Sequence, residues 1–232
     1  MARFCVYLGS RSGEHPDFCQ AATALGRMLA RRGHTLIYGG ARIGLMGALA
    51  NAALDEGGDV IGVMPDHLVE REQAHLGLTE LIRVRDMHAR KAAMAARADA
   101  FMALPGGIGT LEELFEIWTW GYLGLHDKPL GVLNVQDFYT PLLSFVDATV
   151  EHGFLHPATR HMLLDAATPE ALLDALQAKL KLAAFPIIRS VACMPCILAG
   201  SRPAGRKPPS LIRRAPVRCS CALPTPGSTA PI

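Results

Sequence analysis

Ala100-Phe101-Met102-Ala103-Leu104-Pro105-Gly106-Gly107-Ile108-Gly109-Thr110-Leu111-Glu112-Glu113 is the stretch that decides how this chain is read. An apolar run, 100–104, leads into three glycines, and an amphipathic run from Leu111 to Tyr122 leads out of them. That order reads as strand, glycine loop and helix. Glycines let backbone N–H groups approach an anion with no Cβ in the way. The helix start adds unpaired N–H donors and the positive end of its dipole, so Gly106, Gly107 and Gly109 form a candidate phosphate site. Thr110 is placed to cap the helix and to offer the anion a hydroxyl. Glu112 and Glu113 follow within one turn. A carboxylate is a poor phosphate ligand, so a plain phosphate cradle has no use for one. The pattern therefore points to an anion hook with a catalytic or sugar-binding acid attached. It is not a Walker A loop, because no Gly-Lys-Ser/Thr follows. Nor is it the dinucleotide G-x-G-x-x-G, because the order is G-G-x-G-T.

Outward from this stretch, apolar strand-like runs alternate with helical patterns. Strands are predicted at 4–8, 35–38, 60–64, 81–84, 100–104 and 130–135, with a short one near 162–164. Helices are predicted at 16–32, 44–56, 87–97, 111–122, 138–151 and 169–182, and 66–80 reads as irregular. Strands alternating with helices imply βαβ units, hence an α/β fold with a doubly wound, mostly parallel sheet covered on both faces, Rossmann-like. Ligands in such sheets sit beyond the carboxyl ends of the strands. The loops at 9–13, 39–47 and 106–109 all follow strands, so they converge on one edge, where Ser10 and Arg11 join the candidate ligand contacts.

The 232 residues allow one ordinary domain plus an extension, and half of them are hydrophobic, enough for a large core. A formal net charge of +2 argues against a dedicated nucleic-acid binder. No run approaches the roughly 18 apolar residues of a membrane helix, and the first residues do not form a signal peptide. Only Cys5 and Cys19 precede residue 190, which is no disulfide framework and implies a reducing, cytoplasmic setting. After about residue 185 the composition changes. Residues 186–232 hold nine prolines and four of the six cysteines. No period persists there, so the chain divides into a Rossmann-like domain, 1–185, and a disordered tail, 186–232. Cys193-Met194-Pro195-Cys196 and Cys219-Ser220-Cys221 do not make a metal site, because the second pair has one intervening residue against the usual two to four.

Met87-His88-Ala89-Arg90-Lys91 opens the helix before the decisive stretch. Adjacent cations point about 100° apart on a helix, so one can face the anion site while the other serves a neighbour. Arg90-Lys91 followed by Pro105-Gly106-Gly107-x-Gly109-Thr110-x-x-Glu113 resembles the Lonely Guy family of cytokinin-activating phosphoribohydrolases, formerly labelled "possible lysine decarboxylase". The likeness continues through Tyr38-Gly39-Gly40 with Gly44-Leu45-Met46-Gly47, Pro65 with Arg71-Glu72, Thr119-Trp120 and Leu123-Gly124-Leu125-His126-Asp127-Lys128-Pro129. It covers roughly residues 3–182, and the tail has no counterpart.

The resemblance implies hydrolysis of the N-glycosidic bond of a nucleoside 5′-monophosphate to free base and ribose 5-phosphate. N6-isoprenoid AMPs are the best-known substrates, with AMP often accepted. It places Arg90 and Glu113 at the catalytic positions. It places Glu72, Arg90, Lys91, Gly107, Gly109, Thr110 and Thr119 at substrate-binding positions. It implies no metal or organic cofactor, and a homodimer with sites near the interface. The chemistry agrees. Breaking a ribosyl bond develops cationic charge at C1′, which a carboxylate such as Glu113 stabilises while it orients or deprotonates water. Arg90 has three roles open to it: holding the phosphate, orienting Glu113 or polarising the leaving base. Glu72 suits ribose hydroxyls, and Trp118 and Trp120 suit the core or a dimer contact. The alternative from another class is a non-catalytic nucleotide or phosphorylated-pterin carrier on the same fold, which needs the glycine loop but not the acid. A pyridoxal-phosphate decarboxylase needs a Schiff-base lysine, and neither Lys91 nor Lys128 sits in a recognisable motif for one.

Overall fold

The structure, a computed structural model, describes residues 1–69 and 74–184. Glu72 and the tail expected at 186–232, with its cysteine pairs, lie outside the described residues.

Seven strands make one sheet in which every pairing is parallel. They are β1 (Arg3–Tyr7), β2 (Thr35–Tyr38), β3 (Val60–Pro65), β4 (Glu80–Val84), β5 (Ala100–Ala103), β6 (Leu130–Leu133) and β7 (Leu163–Ala166). The sheet order is β4-β3-β2-β1-β5-β6-β7. The central strands read as continuous apolar runs because both faces are covered. Phe4, Val6, Ala100 and Met102 point into a layer formed by α1 (Pro16–Arg31), α2 (Gly44–Asp55) and α8 (Pro169–Ala184). Their alternates Cys5, Tyr7, Phe101 and Ala103 point into the opposite layer, formed by α4 (Met87–Arg97), α5 (Ile108–Tyr122) and α6 (Thr140–Glu151).

Local chemistry sets the helix starts. α1 opens with proline at its first position, and His15 Nδ1 accepts the Asp17 N–H at 3.3 Å. Asp86 caps α4 by accepting the Ala89 N–H at 2.7 Å. Three expectations need correction. The first is that α5 begins at Ile108, three residues early. Gly107 holds the N-cap with extended backbone and no side-chain cap, and the Leu111 N–H already bonds the Gly107 carbonyl at 3.2 Å. Thr110 is therefore inside the first turn and is not the cap. The second is that 66–80 is not wholly irregular. It contains α3 (Asp66–Val69), and Ala74 bridges Ala41. The third is that α6 begins at Thr140 and not at Phe138, because Tyr139 takes the N-cap, with its N–H tied back to Asn134 Oδ1 at 2.6 Å. One further helix, α7 (Pro157–Arg160), is too short to leave a periodic signal.

The strand order reverses between β1 and β5, so the crevice outside their carboxyl ends is the switch point where this architecture binds ligands. The loops leaving those two strands meet there. The Gly9 N–H donates to the Pro105 carbonyl at 3.2 Å.

Candidate active site

A cavity of about 770 Å³ opens at this crevice, a size typical of small-molecule sites. The loop after β1, the start of α2, Arg90 of α4, the loop from Pro105 to Gly109, and Glu113 of α5 all line it. The three loops predicted to converge do so.

The three glycines of the decisive loop have different jobs. A Cβ on Gly106 would lie 2.2 Å from Thr110 Oγ1 and 2.9 Å from Gly9 N, so this glycine allows close packing of the loop on β1's exit. Gly107 and Gly109 are exposed, and a Cβ on either would meet no atom within 4 Å. Their bareness keeps space open over the N-terminus of α5, whose first N–H groups have no intrahelical partner. Thr110 is buried, with its hydroxyl under Gly106.

Arg90 and Glu113 are brought together. Both are almost fully buried, and Arg90 Nη2 stands 4.0 Å from Glu113 Oε1. The guanidinium is poorly satisfied. Its Nη2 donates to the Gly39 carbonyl at 3.4 Å and its Nη1 to Met87 Sδ at 3.7 Å, while the buried Nε has no hydrogen-bond partner. A buried cation left short of acceptors is unusual and points to an anionic ligand. Burial pushes the Glu113 carboxyl up to about 7, with Arg90 pulling it down and Glu112 pushing it up. Tyr7, beneath it on β1, is also driven well above its ordinary value, first by burial and then by Cys5 and Glu113.

Lys91 and Thr119 are not at the cavity. Lys91 Nζ bonds Glu112 at 2.5 Å and Glu116 at 3.0 Å, both on α5. Burial alone would lower this ammonium, but the two carboxylates outweigh it and hold it above the ordinary lysine value. The Thr119 hydroxyl donates to the Phe115 carbonyl at 2.7 Å, and the residue lines a separate apolar groove with Phe115, Tyr122 and Phe145. Trp118 is buried, with its indole N–H on the Thr159 carbonyl at 3.1 Å. Sequence reading missed several cavity residues. Phe18 and Phe138 form an edge-to-face pair, centroids 5.8 Å apart, on one wall, and His67 lines another. No motif joins residues so far apart in sequence. Glu116 had a usable signal, since Glu112 and Glu116 at i, i+4 present one acidic face to a cation. Among the described residues, no group of three or more His, Cys, Asp or Glu is arranged to hold a metal ion.

Fold and site together define a doubly wound α/β protein with a glycine-lined crevice at its switch point and a buried arginine and acid side by side in it. The chain belongs to the family described as "Possible lysine decarboxylase", which matches residues 46–176. It is 54% identical over 156 residues to the cytokinin riboside 5′-monophosphate phosphoribohydrolase of Rhodococcoides fascians, spanning 67% of this chain and 79% of that one. It is 51% identical over 158 residues to the cytokinin riboside 5′-monophosphate phosphoribohydrolase LOG3 of Arabidopsis thaliana, spanning 68% and 74%. Among solved structures, the molybdenum cofactor carrier protein of Chlamydomonas reinhardtii shares the fold, with TM-score 0.59 and 20% identity over 78% of this chain and 98% of that one.

Proposed function

We propose that this protein hydrolyses the N-glycosidic bond of a nucleoside 5′-monophosphate, AMP or an N6-substituted AMP, to free base and ribose 5-phosphate. The observation that carries the proposal is the under-satisfied Arg90 held 4.0 Å from the buried Glu113 carboxyl, which burial pushes up to about 7. The relatives' names supply the substrate class.

The bare Gly107 and Gly109, with the free N–H groups of α5, take the 5′-phosphate and so bring C1′ toward Glu113. The C1′–N bond breaks with its electron pair leaving on the base, which takes up a proton from solvent, balanced when Glu113 returns to solvent the proton it receives in the next step. Water adds to C1′ and gives its proton to the Glu113 carboxylate, which also stabilises the cationic transition state. Arg90 supplies fixed positive charge to the phosphate or the leaving base. Two observations weigh against a Schiff-base decarboxylase. Lys91 is held by two carboxylates, and Lys128 Nζ donates to the Ala95 carbonyl at 2.7 Å. A carrier would have no use for a buried acid beside the anion hook.

The test is chromatography of the base released from AMP, from N6-isopentenyl AMP and from adenosine. Glu113→Ala is expected to lower release by about 10²–10³-fold, the usual size of such electrostatic contributions, with the melt intact. Adenosine is expected to be a far poorer substrate than AMP. Near-normal turnover by a folded Glu113→Ala protein overturns the mechanism.

The working unit is proposed to be a homodimer. On α5 and α6, and in the turn that follows α5, Tyr122, Leu123, Leu125 and Phe145 are each at least 60% exposed beside the apolar groove, a face suited to a second copy. The cytoplasm is the proposed compartment, in keeping with Cys5 and Cys19, both unpaired. No helix among the described residues is long and apolar enough to cross a membrane.

A further inference from the structure

Arg90 and Lys91 are neighbours on α4, and Glu112 and Glu113 are neighbours on α5, so two cation–carboxylate pairs face each other across one helix contact. They are made differently. Lys91 is engaged twice, by Glu112 at 2.5 Å and by Glu116 at 3.0 Å, with its side chain only 10% exposed. Arg90 and Glu113 are left at 4.0 Å, with the Arg90 Nε unpartnered. A tight Arg90–Glu113 pair would leave neither group for a ligand. A loose pair cannot hold two helices in register.

We propose that Lys91 is a positioning residue: clamped by Glu112 and Glu116, it fixes α4 against α5 and so sets the open separation of Arg90 and Glu113. The assignment rests on the hydrolase reading above, and it takes Lys91 away from the phosphate. Lys91 does not line the cavity, although Arg90, Glu112 and Glu113 do. The clamp also balances charge. Arg90 and Lys91 carry two positive charges, and Glu112 and Glu116 two negative ones, around Glu113. Cys5 and Tyr7 lie beneath it on β1, and Arg11 and ionisable His67 line the cavity from the loop after β1 and from α3. Removing Lys91 leaves two unbalanced carboxylates beside Glu113, which disfavour its ionised form.

The experiment is steady-state kinetics of base release by Lys91→Met, Lys91→Arg and Glu116→Gln on AMP and adenosine across pH. Lys91→Met is expected to lower kcat about tenfold or more, the scale of a small misplacement of catalytic groups, with KM for AMP changed less than about threefold. The AMP-to-adenosine preference in kcat/KM stays at the wild-type value. The acid limb of the pH profile moves up by about one unit through loss of the nearby positive charge. Lys91→Arg restores most of kcat, and Glu116→Gln, whose side chain is outside the cavity, lowers kcat in part. A Lys91→Met protein whose KM for AMP rises tenfold while the AMP-to-adenosine preference collapses makes Lys91 a phosphate ligand and overturns the proposal. So does unchanged kcat with an unchanged pH profile. Melting of the single and double variants of Lys91→Met and Glu116→Gln reads the clamp without activity. Non-additive shifts support it and additive shifts overturn it, even if the wild-type chain releases no base, a result that would count against the hydrolase reading alone.

Discussion

Glu113 has a carboxyl whose surroundings work against its charge. Burial raises it from about 4.5 to about 7, and the Arg90 guanidinium recovers only part of the loss. This has two consequences of opposite sign. For catalysis, a base must be ionised, so kcat/KM for AMP is expected to rise with pH through an inflection near 7. For stability, the folded state holds this proton where the unfolded state has released it, so the contribution of Glu113 is fully present below about 4.5 and is lost as pH rises through 7. Glu113→Gln is expected to remove the kinetic inflection along with the activity, and to flatten the fall in melting temperature between pH 5 and 7.5. Gly39 is a second residue-scale test. A Cβ there would meet Arg90 Nη2 at 2.0 Å, the far end of a flexible side chain. Gly39→Ala is therefore expected to keep a cooperative melt while displacing the guanidinium and lowering kcat/KM by about tenfold or more.

At the scale of elements, the loop between β5 and α5 combines a structural glycine with cavity-facing ones. Gly106→Ala places a methyl group against Thr110 and the backbone of Gly9, so it is expected to destabilise the protein by about 1–3 kcal/mol. Gly107→Ala places one in open space over the helix N-terminus. Its melting temperature is expected to stay at the wild-type value, while KM for AMP rises by about tenfold, equivalent to about 1.4 kcal/mol of lost binding. Equal melting of the two variants, or unchanged kinetics for Gly107→Ala, would count against this division. α5 itself has two working faces. Glu113 is turned to the cavity and Glu112 and Glu116 to Lys91, while Phe115 and Thr119 line the apolar groove. One helix thus links the cavity to the face proposed for a second copy.

For the whole molecule, the described residues already contain seven strands covered on both faces and the cavity that holds Arg90 and Glu113. Every group assigned to chemistry lies before residue 120. A chain ending at residue 185 is therefore expected to remain a dimer by light scattering and to release base from AMP at the full-length rate. Loss of activity, or a monomer in place of the dimer, would assign residues 186–232 a part in the active assembly.

The signals that are local in the chain were legible in it. Short continuous apolar runs, glycine after a strand and a carboxylate one turn into a helix each depend on a few consecutive residues. They determined the α/β class and the edge where the loops meet; the expectation that Arg90 pairs with Glu113 came from the family resemblance, because two motifs so far apart in sequence carry no local signal of their contact. The start of α5 was misplaced because glycine at the N-cap leaves no side-chain mark. What the tertiary structure alone decided depends on how the layers rotate and pack. Arg90 and Lys91 are adjacent in sequence, yet the seating of α4 on the sheet through Met94 and Ala95 turns one to the cavity and gives the other to Glu112 and Glu116. The same packing sends Thr119 to the apolar groove and joins Phe18 to Phe138. It also sets the Glu113 carboxyl near neutrality, because desolvation belongs to the assembled layers and to no residue in isolation.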